Sequence, residues 1–276
     1  MSDNVDLHCH STASDGALSP QAVVERALAN GAGMLALTDH DSVAGFSSIP
    51  SELGARLELI PGAEFSTRWE SLGVHVVGLR LNLNGEALHA ALAAQTEVRQ
   101  KRAVEIAQAL KRAGLPDLLE AATARAGDGV VGRPHFAREL VARGLVGSME
   151  QAFRRYLGQG RPGDVHNAWP GMLSTISNIH AADGVAVLAH PLNYRLSRRQ
   201  RQRLIAAFKA AGGDAVEVVS GRQDPEQTRM LARDATAVGL AGSIGSDFHA
   251  PTHGGMDVGA TGPLPVGVRP VWELFQ

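Results

Sequence analysis

Short apolar runs that end in polar residues recur along the chain. Val5-Asp6-Leu7 runs into His8, Met34-Leu35-Ala36-Leu37 into Thr38-Asp39-His40, and Leu57-Glu58-Leu59-Ile60 precedes Gly62-Ala63-Glu64. A fourth run, at 74–79, encloses His75; a fifth, at 185–189, leads into His190. The sixth spans 215–219, and the seventh, 240–244, leads into Gly245-Ser246-Asp247. Most are short, β-branched and bounded by Gly or Pro, the pattern of buried parallel strands. Helical signals lie between them. Ser19-Pro20 predicts an N-cap and first-turn proline, with Val23, Val24, Ala27 and Leu28 on one stripe and Gly31 as the stop. Asp224-Pro225-Glu226 repeats that signal for a helix to about Gly239, and 196–211 forms another, strongly basic at its start. Alternating strands and helices predict an α/β fold with a parallel sheet. About seven strands suggest a closed or nearly closed barrel. No GxGxxG follows the first strand, and no phosphate-binding lysine loop occurs.

Residues 85–165 break the rhythm and read as several helices with no clear strand. Residues 87–112 form one long helix, and Ser148-Met149-Glu150-Gln151 resembles a capping box. The stretch carries 12 Lys/Arg against 9 Asp/Glu, a surplus of +3 against −5 over the rest. It is read as a helical insertion over the mouth of a barrel built from 1–84 and 166–276. The Gly- and Pro-rich tail after Ala250 is expected to pack irregularly over the surface.

Composition narrows the chemistry. A length of 276 residues allows one large domain or a domain with an insertion. The net charge of −2 argues against a general coat for nucleic acid or anionic membrane. Residues 1–4 show no leader, and no apolar run approaches the roughly 18–20 residues of a membrane span, which predicts a cytoplasmic protein. Eleven His with a single Cys exclude a disulfide scaffold, a zinc ribbon and an iron–sulfur protein, but not a His/carboxylate metal enzyme.

The positions of the His decide more than their number. His8-Cys9-His10 ends a strand, so two imidazoles share one face and Cys9 points to the other. Asp15 follows on the loop, where a cap or turn residue is the ordinary reading. In Thr38-Asp39-His40-Asp41, the two Asp either orient His40 or cap the next helix. Glu64 alone reads as solvated surface, and His75 alone as a satisfied core residue. His190-Pro191 and Asp247-Phe248-His249 complete the set. Each has an innocent reading, but the conjunction does not: these residues end or flank six strands and converge on the face where barrel active sites sit. Nine donors (His8, His10, Asp15, His40, Glu64, His75, His190, Asp247 and His249) exceed one ion and predict two or three divalent cations. The thiol-free set suits Mn²⁺ best, with Fe²⁺, Zn²⁺ or Mg²⁺ as alternatives. Such ions acidify water and neutralise charge on phosphoryl oxygens.

His8-x-His10, Thr38-Asp39-His40, Gly62-x-Glu64, His75, His190-Pro191 and Asp247-x-His249 match, in order and spacing, the PHP (polymerase and histidinol phosphatase) family. The resemblance covers almost the whole chain. It implies a distorted (β/α)₇ TIM-like barrel with a trinuclear site. His8, His10, Glu64 and Asp247 would hold the first metal; Glu64 would bridge to a second completed by His75 and His190. Asp15, His40 and His249 would hold the third. Asp6-Leu7-His8-Cys9-His10-Ser11, Ser14-Asp15-Gly16, Gly132-Arg133-Pro134-His135-Phe136-Ala137 and the segment Gly213-Asp214-Ala215-Val216-Glu217-Val218-Val219-Ser220-Gly221 resemble the TrpH/YciV-like group. That group implies a phosphatase of 3′,5′-nucleoside bisphosphates with secondary action on 5′-mononucleotides. The alternatives are a 5′→3′ exoribonuclease on short 5′-phosphorylated RNA, a histidinol-phosphate-type phosphatase and a non-catalytic binding module.

Arg133, His135, Ser11, Asn193 and Arg195 are the expected phosphate or substrate contacts, since Arg suits bidentate phosphate binding. The bland reading of Arg133 and His135 is a surface Arg and a helix-start His. Asp247, His249 and Glu64 are the expected catalytic groups, the first two as proton carriers. Most of Arg198, Arg199, Arg201 and Arg203 should form a solvated helix face. No basic–aromatic interleaving suggests an extended RNA platform, which favours a small nucleotide; neither duplex DNA nor a membrane is expected as partner. His89, His166, His180 and His253 match no motif. Oligomeric state is not legible.

Overall fold

The computed structural model describes residues 4–127, 129–165, 169–251 and 255–275. Seven strands form one sheet in chain order: β1 (Val5–Cys9), β2 (Met34–Leu37), β3 (Glu58–Trp69), β4 (Leu72–Leu79), β5 (Val185–Leu188), β6 (Ala215–Ser220) and β7 (Ala241–Gly245). The sheet curls until its ends meet. The Asp247 amide donates to the His8 carbonyl at 2.8 Å, and the His10 amide to Phe248 at 2.9 Å. The fold is thus mixed α/β, a near-closed and distorted barrel with added helices.

One expectation is corrected. β4 pairs antiparallel with both β3 and β5, so the sheet is not wholly parallel. The cause is the connection. β3 continues past Glu64 to Trp69, which pairs with Leu72, leaving only Glu70 and Ser71 to turn the chain. Two residues close a hairpin, whereas a parallel return needs a dozen or more. The reversal brings His75, near the start of β4, to the rim where the other strands end.

The helical signals place their elements within two residues. In α1 (Pro20–Ala29) Ser19 accepts from the Ala22 amide, and in α10 (Pro225–Ala237) Asp224 accepts from Glu226 and Gln227. In α9 (Arg198–Ala210) Ser197 and Gln200 form a reciprocal cap. Its Arg198, Arg199 and Arg203 are exposed as expected, but Arg201 is buried. Two short helices, α2 (Ala44–Ser47) and α3 (Ser51–Gly54), follow β2.

Residues 85–165 hold no strand among the described residues. They form α4 (Glu86–Arg112), α5 (Leu119–Ala126), α6 (Arg133–Ala142), α7 (Met149–Ala152) and a π turn, Phe153–Leu157. Ser148 caps α7, but Gln151 reaches back to the Gly147 amide, one residue before the expected partner. These helices bury a core of their own around Ile106, Leu110, Phe136, Leu140 and Leu157. Inside the barrel, Leu7, Ala36, Leu79, Val187 and Ala215 pack on Val271 of a C-terminal 3₁₀ turn, Val271–Leu274. Outside it, α8 (Met172–Ala181), α9 and α10 cover the sheet through Ile176, Phe208 and Leu231. No described helix is long and apolar enough to cross a membrane.

Candidate metal centre

All nine residues proposed as ligands meet at the rim of the barrel. Their donor atoms form four overlapping groups: His10, Asp15, His40 and His249; His8, His10 and Asp247; His8, Glu64 and His190; and His40, Glu64 and His75. Backbone geometry aims several of them. His190 and Asp247, each just beyond a strand, adopt positive φ of 29° and 51°, a conformation that costs a non-glycine residue energy and clusters at functional sites. Gly245 has no side chain where one would collide with His8 Cβ at 2.2 Å and Glu217 Oε1 at 2.3 Å.

Glu64 is the hub. Its Oε1 lies 2.8 Å from both His75 Nδ1 and His190 Nε2. Its Oε2 lies 3.0 Å from His40 Nδ1, 3.3 Å from His10 Nε2 and 3.4 Å from His8 Nε2. Although Oε2 is buried, it accepts no hydrogen bond, and the buried Nδ1 atoms of His40 and His190 likewise lack a partner. His8 Nδ1 faces the Glu217 carboxylate at 3.1 Å, which holds its proton there and leaves the lone pair on Nε2. That lone pair points at His10 Nε2, 3.1 Å away. Converging lone pairs and an orphaned carboxylate oxygen are the arrangement a bound cation satisfies, and the thiol-free donor set suits a hard or borderline divalent ion.

The electrostatics agree. Burial opposes ionisation of Glu64, yet His75, His40 and His8 hold its carboxyl well below the usual range. Asp15 is likewise held well below, against burial, by His40 and His249. Burial works against charge on His249, but Asp15 and Asp247 push its imidazole up to about 10. Burial takes His75 down to about 4, with His40 and His190 adding to the effect against Glu64.

The remaining expected contacts divide. Arg133 and Asn193 line a cavity of about 560 Å³ over the ligands, shared with Asp15, Glu64, His75 and His249. A second lobe of about 340 Å³ adds Arg195 and Tyr194. His135 is buried at the start of α6, where its Nδ1 accepts from the Gly132 amide; it does not line the cavity. Ser11 also turns away, with its amide and hydroxyl on Asp39 at 2.8 and 2.7 Å. Asp39 further holds Ser14, and Asp41 holds Arg99, Gln95 and the Ser66 amide. Both carboxylates organise the walls; neither is hydrogen-bonded to the His40 ring. Cys9 is buried, with Sγ on the Ala36 carbonyl. His180 pairs with Asp214, and His89 is exposed. His166 and His253 lie outside the described residues.

Sequence reasoning missed Glu217, Arg99, Arg102, Trp169 and Tyr194. Glu217 binds the His8 ring and, at 2.6 Å, the His190 amide. Tyr194 Oη accepts from the His75 amide at 2.8 Å. Arg99 and Arg102 stack over Trp169 at 5.3 and 4.9 Å on the cavity wall. A signal for the two Arg exists. Buried positions of α4 recur at 88, 91, 95, 99, 102, 106 and 110, and the middle three are polar.

Residues 6–154 match the PHP domain family. A 5′-3′ exoribonuclease of Haemophilus influenzae is 46% identical over 278 residues, covering all of both chains. The 5′-3′ exoribonuclease Rnm of Escherichia coli is 43% identical, over 98% of this chain and 93% of its own. A 3′,5′-nucleoside bisphosphate phosphatase of Chromobacterium violaceum is 41% identical, over 99% and 96%. Among solved structures, a Chromobacterium violaceum protein described as an amidohydrolase with bound sulfate and no metal superposes with a TM-score of 0.88. It is 39% identical, over 98% of this chain and 95% of its own. The ligand-bearing barrel rim and these similarities together make the chain a member of the PHP-domain family, a hydrolase of phosphate esters.

Proposed function

We propose that the chain is a 5′→3′ exoribonuclease that removes 5′-phosphorylated nucleotides from RNA ends, and that it hydrolyses 3′,5′-nucleoside bisphosphates by the same chemistry. The observation that carries this reading is the near full-length identity to relatives named for RNA ends, above that to the relative named for bisphosphates. The RNA end therefore takes precedence over the free bisphosphate expected from the sequence. One bond unites the two activities. In both, the P–O3′ bond of a 5′-phosphorylated nucleotide breaks, water supplies the oxygen that joins phosphorus, and O3′ leaves with a proton. Only the far substituent of the phosphorus differs: a hydrogen in one case, the next nucleoside in the other.

His8, His10, Glu64 and Asp247 would hold one ion, Glu64, His75 and His190 a second, and Asp15, His40 and His249 a third, with Mn²⁺ the first choice. Bound there, the ions supply water activation and charge neutralisation. The chain's own groups do the rest. Asp247, partly open to the cavity, receives the proton from water, and His249 returns one toward O3′. Arg133, Asn193 and Arg195 orient the nucleotide. Residues 85–165 form the insertion that roofs the mouth, and the enzyme acts in the cytoplasm.

The test is a comparison of kcat/KM, with Mn²⁺ present, for 5′-phosphorylated RNA 5-mers and for pAp. Stepwise release of 5′-mononucleotides at an efficiency at least equal to pAp is expected. Turnover of pAp alone would replace the RNA reading by the bisphosphatase, and turnover of neither would remove both.

A further inference from the structure

The cavity wall carries three guanidiniums, and they differ in one respect. Arg99 is satisfied: Nε lies 2.6 Å from Asp41, and its other nitrogens reach Ser66 Oγ and the Val131 carbonyl. Arg133 pairs with Asp164 at 3.4 Å and with the Leu157 carbonyl. Arg102 is 5% exposed, yet its Nε meets only the neutral Val165 carbonyl. Among the described residues, no carboxylate lies within ion-pair distance of it, and its two terminal nitrogens have no hydrogen-bond partner. Asp164 and Asp41 face it from further off, and each is already engaged by another Arg. Burial, and then the like charges of Arg133 and Arg99, depress its pKa well below that of an ordinary guanidinium.

A buried cation without a counter-ion is costly, and natural proteins keep one where something else neutralises it. Arg102 lines both lobes of the cavity, together with Arg133, Trp169, His75, His190 and Asn193. It belongs to none of the four ligand groups. Its missing counter-ion is thus reached from the cavity, beside the reacting centre but not at it.

We propose that Arg102 is the receptor for the terminal 5′-phosphate of the substrate, the phosphate that is not hydrolysed. Trp169 holds the guanidinium plane and Arg133 stands on the same wall. A terminal phosphomonoester carries a charge of roughly −1.5 to −2 and three acceptor oxygens, and matches the Arg fork better than an internal diester does. With that phosphate on Arg102, the 3′ side of the same nucleotide faces the ligands. One anchor then selects RNA ends and nucleoside bisphosphates alike and excludes 5′-hydroxyl ends. This subsite rests on the proposed function for its substrate, but not for its anion.

Two measurements separate the subsite from that reading. First, chelator-treated protein is titrated calorimetrically with 5′-AMP and with adenosine. Wild type should bind 5′-AMP about 10- to 100-fold more tightly, the range for a charge-assisted hydrogen-bond pair, and Arg102→Met should bind the two alike. Equal discrimination in wild type and Arg102→Met, or none in wild type, overturns the proposal. Should Arg102→Met not fold, Arg102→Lys and Arg102→Gln take its place, with discrimination partly kept by lysine and lost by glutamine. Second, kcat/KM of the metal-loaded enzyme is compared on 5′-phosphorylated and 5′-hydroxyl RNA, and on pAp and 3′-AMP. Arg102→Met should lower the first of each pair by a similar 10- to 100-fold and leave the second unchanged; equal losses on both overturn the proposal. If wild type turns over none of the four, the proposed function fails while the binding titration still decides the subsite.

Discussion

Five imidazoles crowd two oxygens at Glu64, and the direction of each ring depends on what holds its other side. His8 is the clearest case, with Glu217 taking the Nδ1 proton while also accepting from the His190 amide. Glutamine at 217 cannot serve both. Its amide NH₂ either faces a donor at His190 or forces His8 into the tautomer that blocks Nε2. Glu217→Gln should therefore weaken metal binding at the His8 and His190 groups by about 10- to 100-fold, while the Asp15, His40 and His249 group keeps its affinity. Metal stoichiometry after dialysis against graded free Mn²⁺ measures this, and an unchanged stoichiometry would show that Glu217 does not set the tautomer.

At the level of elements, α4 is fastened to β3 by one buried ion pair. Asp41 accepts from Arg99 Nε at 2.6 Å, from Gln95 at 2.7 Å and from the Ser66 amide at 2.7 Å. Burial opposes its ionisation, but Arg99 and these donors bring its carboxyl below the usual value. A carboxyl lowered on folding stabilises the native state above its unfolded value, about 3.9, and loses that contribution as pH falls through the folded value. Asp41→Asn strands the Arg99 charge and should cost about 3–5 kcal/mol at pH 7. Melting curves from pH 7 to pH 3 should show the deficit shrinking below about pH 4, because wild type then loses the same charge. A deficit independent of pH would mean that the charge of Asp41 is not what matters. The sequence did not show this fastening. Arg99 and Arg102 sit in a helix whose charge count suggests solvation, and only the register of its buried positions marks them as inward. Strand direction was hidden for a similar reason. The apolar run at 74–79 has the same composition whichever way it runs, and the tight Glu70-Ser71 turn has no glycine to announce it. What was legible rests on short-range geometry: the spacing of His8 and His10 on one strand face, and Ser19-Pro20 and Asp224-Pro225 at helix starts.

Over the whole molecule, the barrel and the helices of 85–165 bury separate cores and meet at the cavity, one bringing the ligands and the other the arginines. The barrel itself joins where β1 meets the segment after β7. The hydrogen bonds across that join come from His8, His10, Asp247 and Phe248, so three of the four residues that close the fold are also ligand candidates. Ions held there would act as a clasp, fastening the first strand of the chain to the last and removing the freedom of almost the entire intervening length. Stripping the ions should loosen this join before any other. Hydrogen exchange with and without chelator should show the amides of His10 and Asp247 accelerating by at least about tenfold, while those between β2 and β3 hardly change. An enzyme of this build would lose its ions and the closure of its barrel in one event, so that metal supply governs how long the folded chain survives as well as how fast it works.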